Sequence, residues 1–176
     1  MQLTHPITHE QMTIEHPAAD DHAESRVVFT LPARQAGPPR HYHDRFAESF
    51  CVLSGELELT VGDTAPRTLR AGERLTVPAG TVHTFRNASA APVTFCTEVV
   101  GGRGFERFIR GWYGLAIDGR SDRRGAPRGL LATIVLLDEG DVNLPGVPRP
   151  LQRGLRRALR WLARLTGAER RVARWW

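Results

Sequence analysis

From residue 25 onward, apolar and polar positions alternate in short runs. SRVVFTL is rich in β-branched and aromatic residues, and GELELTVGD sets Leu57, Leu59 and Val61 against Glu56, Glu58 and Thr60. ERLTVPAG and APVTFCTEVV continue the strand pattern. Turn residues at LSG, VGD, RAG and PAG cut these runs at short, fairly regular intervals, the spacing of an antiparallel sandwich or barrel. After GGRG at 101–104 the period lengthens, and Phe105, Phe108, Ile109, Trp112 and Leu115 recur at helical spacing. SDRRGAPRG reads as a loop, while LLATIVLLDEG suits a short buried helix or a strand, with helix favoured. Beyond a proline-rich joint, LPGVPRP, the stretch LQRGLRRALRWLARL places Leu151, Leu155, Leu159, Leu162 and Leu165 on one helical face with arginines elsewhere. Gly167 is its expected stop.

The pattern predicts a mainly β chain in three parts. Residues 1–24 are polar, with His5, His9, His16 and His22 irregularly spaced, and read as a loose arm or an edge strand near QMTIEH. Residues 25–102 form an antiparallel β-barrel, and residues 103–176 a helical appendage packed on the barrel or on a partner. The 176 residues suffice for one domain with a real core. No run reaches the roughly 18–20 apolar residues of a membrane span, and MQLTHPITHEQ lacks the basic start and apolar stretch of a secretory signal. A cytoplasmic location is expected. Cys51 and Cys96 fall in strand-like segments and read as buried free thiols, since two cysteines make no disulfide framework.

Charge changes the picture at the C-terminus. All 24 basic residues are arginine, which together with abundant Ala, Gly and Pro reflects coding bias and discounts the high pI. Residues 1–148 hold 15 Arg against 18 Asp and Glu, a net of −3. Residues 149–176 hold 9 Arg against one Glu, a net of +8. A mildly acidic body argues against nucleic acid as a partner. A leucine-striped basic helix ending in ERRVARWW, with exposed aromatics, leaves contact with a membrane surface open. Packing against the barrel or a partner subunit, with arginines in solvent, is the favoured reading.

Candidate chemistry lies in HYHDRFAESFCVLSG, residues 41–55. On a strand, His41 and His43 point to the same face, the minimal geometry for a two-nitrogen chelate, although an isolated H-x-H is also common on solvent-facing strands. Glu48 opens the next apolar run, from which an antiparallel neighbour can deliver a carboxylate to the same point. In GERLTVPAGTVHTFRN, residues 72–87, a tight turn at Pro78 and Gly80 leads into a strand bearing His83, with Phe85 on the same face by parity. Three imidazoles and a carboxylate suit one divalent iron, manganese, nickel, copper or zinc ion.

These two segments resemble the paired motifs of the cupin superfamily. The first motif runs G-x5-H-x-H-x3–4-E-x6-G, and the chain supplies His41, His43, Glu48 and Gly55 at that spacing. The second runs G-x5-P-x-G-x2-H-x3-N, and the chain supplies Gly72, Pro78, Gly80, His83 and Asn87. One position departs: the opening glycine falls at Gln35, and the chain has Gly37 instead. The short intermotif distance is similar to that of compact single-domain bacterial cupins with a conserved barrel of the cupin_2 type. The resemblance covers about residues 25–100. The C-terminal part is similar, more weakly, to the appendage of a group of small bacterial cupins without an assigned reaction. The resemblance implies a jelly-roll barrel in which His41, His43, Glu48 and His83 bind one metal.

Four protein ligands around an octahedral ion leave two positions for a bidentate oxygen substrate, or for a substrate and dioxygen. Glu48 then serves as a ligand, as a base that takes a substrate proton, or as both. By strand parity Phe50, Val52 and Phe85 point inward, and Phe46 sits on the loop between His43 and Glu48. Such a lining favours a planar or otherwise apolar oxygenated small molecule, although the same residues serve equally as plain core. Arg40, Arg45 and Arg86 lie near the ligands in sequence and read as solvent-facing. Relatives with this ligand set point first to an oxidoreductase of dioxygenase type. The alternatives are a non-redox isomerase, cyclase or lyase, and a ligand-binding or sensory protein without turnover. A homodimer is expected by analogy alone.

Overall fold

The two-residue period folds as strands in a computed structural model, which describes residues 1–20 and 23–176. His22 lies outside the described residues. The strands before the barrel closes are β1 (Gln2–Thr4), β2 (Gln11–His16), β3 (Glu24–Leu31), β4 (Tyr42–His43) and β5 (Glu48–Ser54). They are followed by β6 (Glu56–Val61), β7 (Arg67–Arg70), β8 (Arg74–Val77), β9 (His83–Arg86) and β10 (Val93–Val100). A six-stranded antiparallel sheet runs β1-β2-β3-β10-β5-β8, and a three-stranded sheet runs β7-β6-β9. Leu57, Leu59 and Leu69 of the smaller sheet meet Val27, Phe29, Phe50, Val52 and Phe95 of the larger in one core. The fold is the expected mainly β jelly roll.

Alternation explains this packing residue by residue. Ser25, Val27, Phe29 and Leu31 of β3 turn inward while their neighbours stay partly in water. β10 pairs with β3 on one side, from Val93 opposite Leu31 to Val100 opposite Glu24, and with β5 on the other. QMTIEH differs from an edge strand: β2 is paired on both sides, β1 is the edge, and Met12 and Ile14 are buried in the barrel core. Cys96 and Cys51 are register partners across β10 and β5. Both thiols are free, but only Cys96 is fully buried, and burial pushes it up to about 11.

The helices are α1 (Arg103–Ile117), α2 (Leu130–Glu139), α3 (Arg149–Leu165) and α4 (Ala168–Ala173), with a short strand β11 (Val142–Asn143) between α2 and α3. LLATIVLLDEG is thus a helix. α1 turns Phe105, Ile109 and Tyr113 to the barrel core. Its Leu115 joins Val135, Leu136, Ala163, Ala168 and Val172 in a second core among the helices. Gly167, at φ 71°, separates α3 from α4. The terminal ERRVARWW does not project as expected: Val172 is buried and Trp175 donates its indole N–H to Asp118.

The leucine stripe of α3 does not take the first of its two expected places, on the barrel. Leu151, Leu155, Leu162 and Leu165 are 60%, 52%, 40% and 65% exposed, whereas Gln152, Arg156 and Ala163 are buried. These four leucines therefore face water, and Leu159 of the same stripe is half-buried. Among the described residues, no helix is long and apolar enough to cross a membrane.

Candidate metal centre

His41 and His83 are brought side by side by the backbone. His41 N–H donates to the His83 carbonyl at 3.0 Å, and His83 N–H donates back to the His41 carbonyl at 2.8 Å. Gly80, at φ 77°, makes the turn before β9, and its N–H donates to the His43 carbonyl at 2.6 Å. A side chain would strain that positive φ, which accounts for glycine there. Glu48 begins β5 between Val99 of β10 and Val77 of β8. These contacts converge His41, His43, Glu48 and His83, one ligand atom from each lying within 4.8 Å of all the others, and all four residues are buried.

The imidazole tautomers are set by the backbone. The Nδ1 atoms of His41, His43 and His83 lie 2.9, 2.9 and 3.0 Å from the carbonyl oxygens of Pro39, Gly140 and Thr81. A carbonyl only accepts, so each Nδ1 carries a proton and the Nε2 of each ring is the atom left to face the other three side chains. His83 Nε2 is 2.9 Å from Glu48 Oε2 and His43 Nε2 is 3.4 Å from the same oxygen. His43 Nε2 is buried and makes no hydrogen bond. A buried lone pair without a donor, beside a buried carboxylate, is what a cation satisfies.

Electrostatics tell the same story. Burial pushes the Glu48 carboxyl up, but the neighbouring His43 and His83 imidazoles outweigh it and hold it well below the usual range. Burial pushes the His83 imidazole down, and the hydrogen bond and charge of Glu48 reverse this and hold it above its ordinary value. Burial, then the neighbouring His83 and His43, bring His41 down to about 4. The buried carboxylate is matched by positive charge, from a proton on His83 or from a bound cation, while His41 resists protonation. A divalent ion supplies that charge, and the four side chains fit one.

The predicted lining divides. Phe46 stacks on the His43 ring at 4.4 Å between centroids, and Phe50 lies 6.0 Å from the His83 ring. Phe85 touches Phe50 and Phe95 and is half-buried at a cleft of about 370 Å³ that also holds Gly37 and Arg86. Val52 is buried in the barrel core, further along β5. The structure therefore brings Phe46 and Phe50 to the ligands and leaves Phe85 and Val52 beside or beneath them. Arg40, Arg45 and Arg86 pair with Asp63, Asp141 and Glu58.

The displaced glycine and the last motif residue have structural roles. A Cβ on Gly37 would fall 1.9 Å from the Phe85 carbonyl oxygen, so close approach of two segments requires glycine there. Asn87 donates to the carbonyls of Pro32 and Ala91 and accepts from the Ser89 N–H, tying the turn after β9.

The appendage contributes residues that sequence reasoning missed. The carbonyl that orients His43 belongs to Gly140, at the end of α2. Asp141 Oδ2 accepts the backbone N–H groups of Asp44 and Arg45 at 2.6 and 2.7 Å, and β11 pairs with β4. Their separation of 97 positions hides this from any local pattern. The one available signal is the Gly-Asp pair that stops α2.

Comparison with known proteins agrees with this architecture. The family model described as a cupin domain matches residues 27–100. No curated protein matches the chain. Among solved structures, the cupin domain of Schizosaccharomyces pombe Cnp3 is 21% identical, with a TM-score of 0.46, over 52% of this chain and 60% of that one. A Klebsiella pneumoniae conserved protein with a double-stranded β-helix domain is 25% identical, with a TM-score of 0.43, over 51% and 75%. KdgF from Halomonas sp. is 20% identical, with a TM-score of 0.44, over 52% and 78%. The stretch that matches the cupin domain model, residues 27–100, is the one that carries the buried His41, His43, Glu48 and His83 group.

Proposed function

We propose that the protein is a metal-dependent oxidoreductase of dioxygenase type, acting on a small, apolar, oxygenated molecule. The carrying observation is the set of three Nδ1–H tautomers, each held by a backbone carbonyl, beside the Glu48 carboxylate. His41, His43, Glu48 and His83 would hold one divalent iron, manganese, nickel, copper or zinc ion. When bound, such an ion supplies Lewis acidity to a substrate oxygen and, if redox-active, electron transfer with dioxygen.

The chain's own side chains do the rest. Pro39, Gly140 and Thr81 fix the imidazole rings before substrate arrives, so ordering them costs nothing at the moment of reaction. Phe46, stacked on His43, and Phe50, beside His83, exclude water and favour a flat apolar substrate. Glu48 is the one carboxylate of the group, so a substrate proton removed at the centre is taken up by its oxygen.

Elemental analysis of protein purified without added metal tests the reading, followed by oxygen-electrode measurements with small enols and phenols. One equivalent of iron, copper, nickel or manganese and substrate-dependent oxygen uptake are expected. His83→Ala is expected to remain folded and to lose most of its metal. Zinc with oxygen-independent turnover would replace this reading with an isomerase, cyclase or lyase. Loaded native metal without turnover would leave a ligand-binding or sensory role.

A further inference from the structure

We infer that the outward face of α3 is a docking surface for an anionic lipid bilayer, on which the helix lies parallel to the surface. The first support is orientation. Gln152 is locked by bonds to the backbone of Leu144 and Val147, and Arg156 is buried against the Val142 carbonyl. Arg160 is held by Asp138, Glu139 and Glu169. These polar anchors fix the rotation of the helix about its axis, and that rotation sends the leucines outward.

The second support is the shape of the apolar face. Leu151, Leu155, Leu162 and Leu165 follow one another at positions i, i+4, i+11 and i+14, a continuous ridge on a helix of 17 residues. At 1.5 Å per residue the ridge from Leu151 to Leu165 is about 21 Å long. With Trp161 at 61% exposure, it presents five large side chains to water. A run of exposed apolar side chains on this scale marks an interaction site. A protruding ridge suits a fluid planar medium, whereas a folded partner would need a matching groove.

The third support is charge. α3 contains no acidic residue, and Arg153, Arg157 and Arg164 are exposed along one flank of the ridge, Arg153 beside Asp44 and Arg164 paired with Glu169 of α4. By helical spacing Trp161 lies between Leu165 and Arg157, the place of an interfacial tryptophan between acyl chains and headgroups. Guanidinium groups on that flank meet lipid phosphates in the geometry they bind best. Pairing of two copies through the same ridge would bring the two Arg157 side chains and their partly offset neighbours Arg153 and Arg164 together, like charge against like, which favours a lipid surface over a second copy.

Co-sedimentation of the full chain with vesicles tests the inference, using 30:70 phosphatidylglycerol–phosphatidylcholine beside pure phosphatidylcholine. Association with the anionic vesicles is expected to exceed that with neutral ones by about tenfold and to weaken in salt. The double variant Leu155→Gln, Leu162→Gln is expected to lose about tenfold or more of that association, with unchanged circular dichroism and metal content. Arg157→Gln, which removes a guanidinium without touching the ridge, is expected to reduce the preference for anionic lipid. Absence of vesicle association, or equal association with both vesicle types, would overturn the inference. So would concentration-dependent self-association, or binding of an acidic protein without vesicle binding, that the leucine variants abolish. A metal-free or inactive protein that still binds vesicles through the ridge leaves this inference standing and bears only on the catalytic reading.

Discussion

The barrel and α3 both carry leucines at the period of their secondary structure, yet they use them in opposite ways. Leu57, Leu59 and Leu69 are at most 1% exposed, whereas Leu151 and Leu165 of α3 are 60% and 65% exposed. Period reports which residues share a face, but it does not report which way the face turns. In the barrel the closing of two sheets leaves the apolar faces one destination. On α3 the direction is decided by Gln152, Arg156 and Arg160, whose buried hydrogen bonds and ion pairs outweigh the leucines. The largest expected effect therefore lies in the barrel. Leu57→Ala should destabilise the protein by about 3 kcal/mol in denaturant titration, through lost burial and the cavity left behind. A loss below about 1 kcal/mol would mean that the sheets close over the gap.

The two regions meet at the ligands. Asp141 of the appendage accepts the N–H groups of Asp44 and Arg45, and the carbonyl of Gly140 next to it accepts from the His43 Nδ1–H. Asp141→Ala frees this corner of the barrel and lets the His43 ring turn. Metal affinity, measured by chelator competition, should fall by about tenfold, the scale for partners that orient a ligand. Asp141→Asn keeps one acceptor oxygen and should recover much of the loss. Unchanged affinity in both variants would make the appendage a separate passenger on the barrel.

The buried four-residue group that could hold a metal was legible because each half of it is local: H-x-H and its glutamate within one stretch, Pro-x-Gly and His83 within another. Strand parity also placed Phe50 inside, and helical spacing marked α1. Parity did not separate Phe50, which reaches a ligand ring, from Val52, which lies in the core along the same strand. The contacts from the appendage to β4 cross 97 positions and rest on backbone carbonyls and one aspartate, to which composition and period are blind. The same holds for the arm. His5 looked like one of several scattered histidines, but it is fully buried and bonded to Gly125.

His5 gives the next comparison, between the arm and the loop joining α1 to α2. Its Nδ1 faces the N–H groups of Ile7 and Thr8, so it accepts, and its Nε2–H donates to the Gly125 carbonyl. Burial pushes this imidazole below its ordinary 6.5, the Gly125 carbonyl opposes this, and His9 adds to the lowering. Because its folded value is depressed, the stability it contributes is complete above pH 6.5 and is lost as pH falls through the folded value. Protonation at Nδ1 also breaks the acceptance from two N–H groups. Thermal unfolding should show a loss of about 1 kcal/mol on acidification below that point, and His5→Gln should flatten that slope. An unchanged slope in the variant would assign the acid sensitivity elsewhere.

The smallest effect should come from the residue that looks most like core in the sequence. Leu155 is 52% exposed on the ridge of α3. Leu155→Ala removes little buried surface, and alanine is the better helix former, so the transfer and propensity terms oppose each other. The expected change in unfolding free energy is under about 0.5 kcal/mol, near one-sixth of that for Leu57→Ala. A change of that size with vesicles absent and a marked one with anionic vesicles present would separate the two uses of leucine in a single chain. A loss of about 2 kcal/mol in the isolated protein would instead mean that in solution α3 turns its leucines inward. Gln152, Arg156 and Arg160 would then have to give up their partners, a cost that their number of hydrogen bonds and ion pairs makes prohibitive.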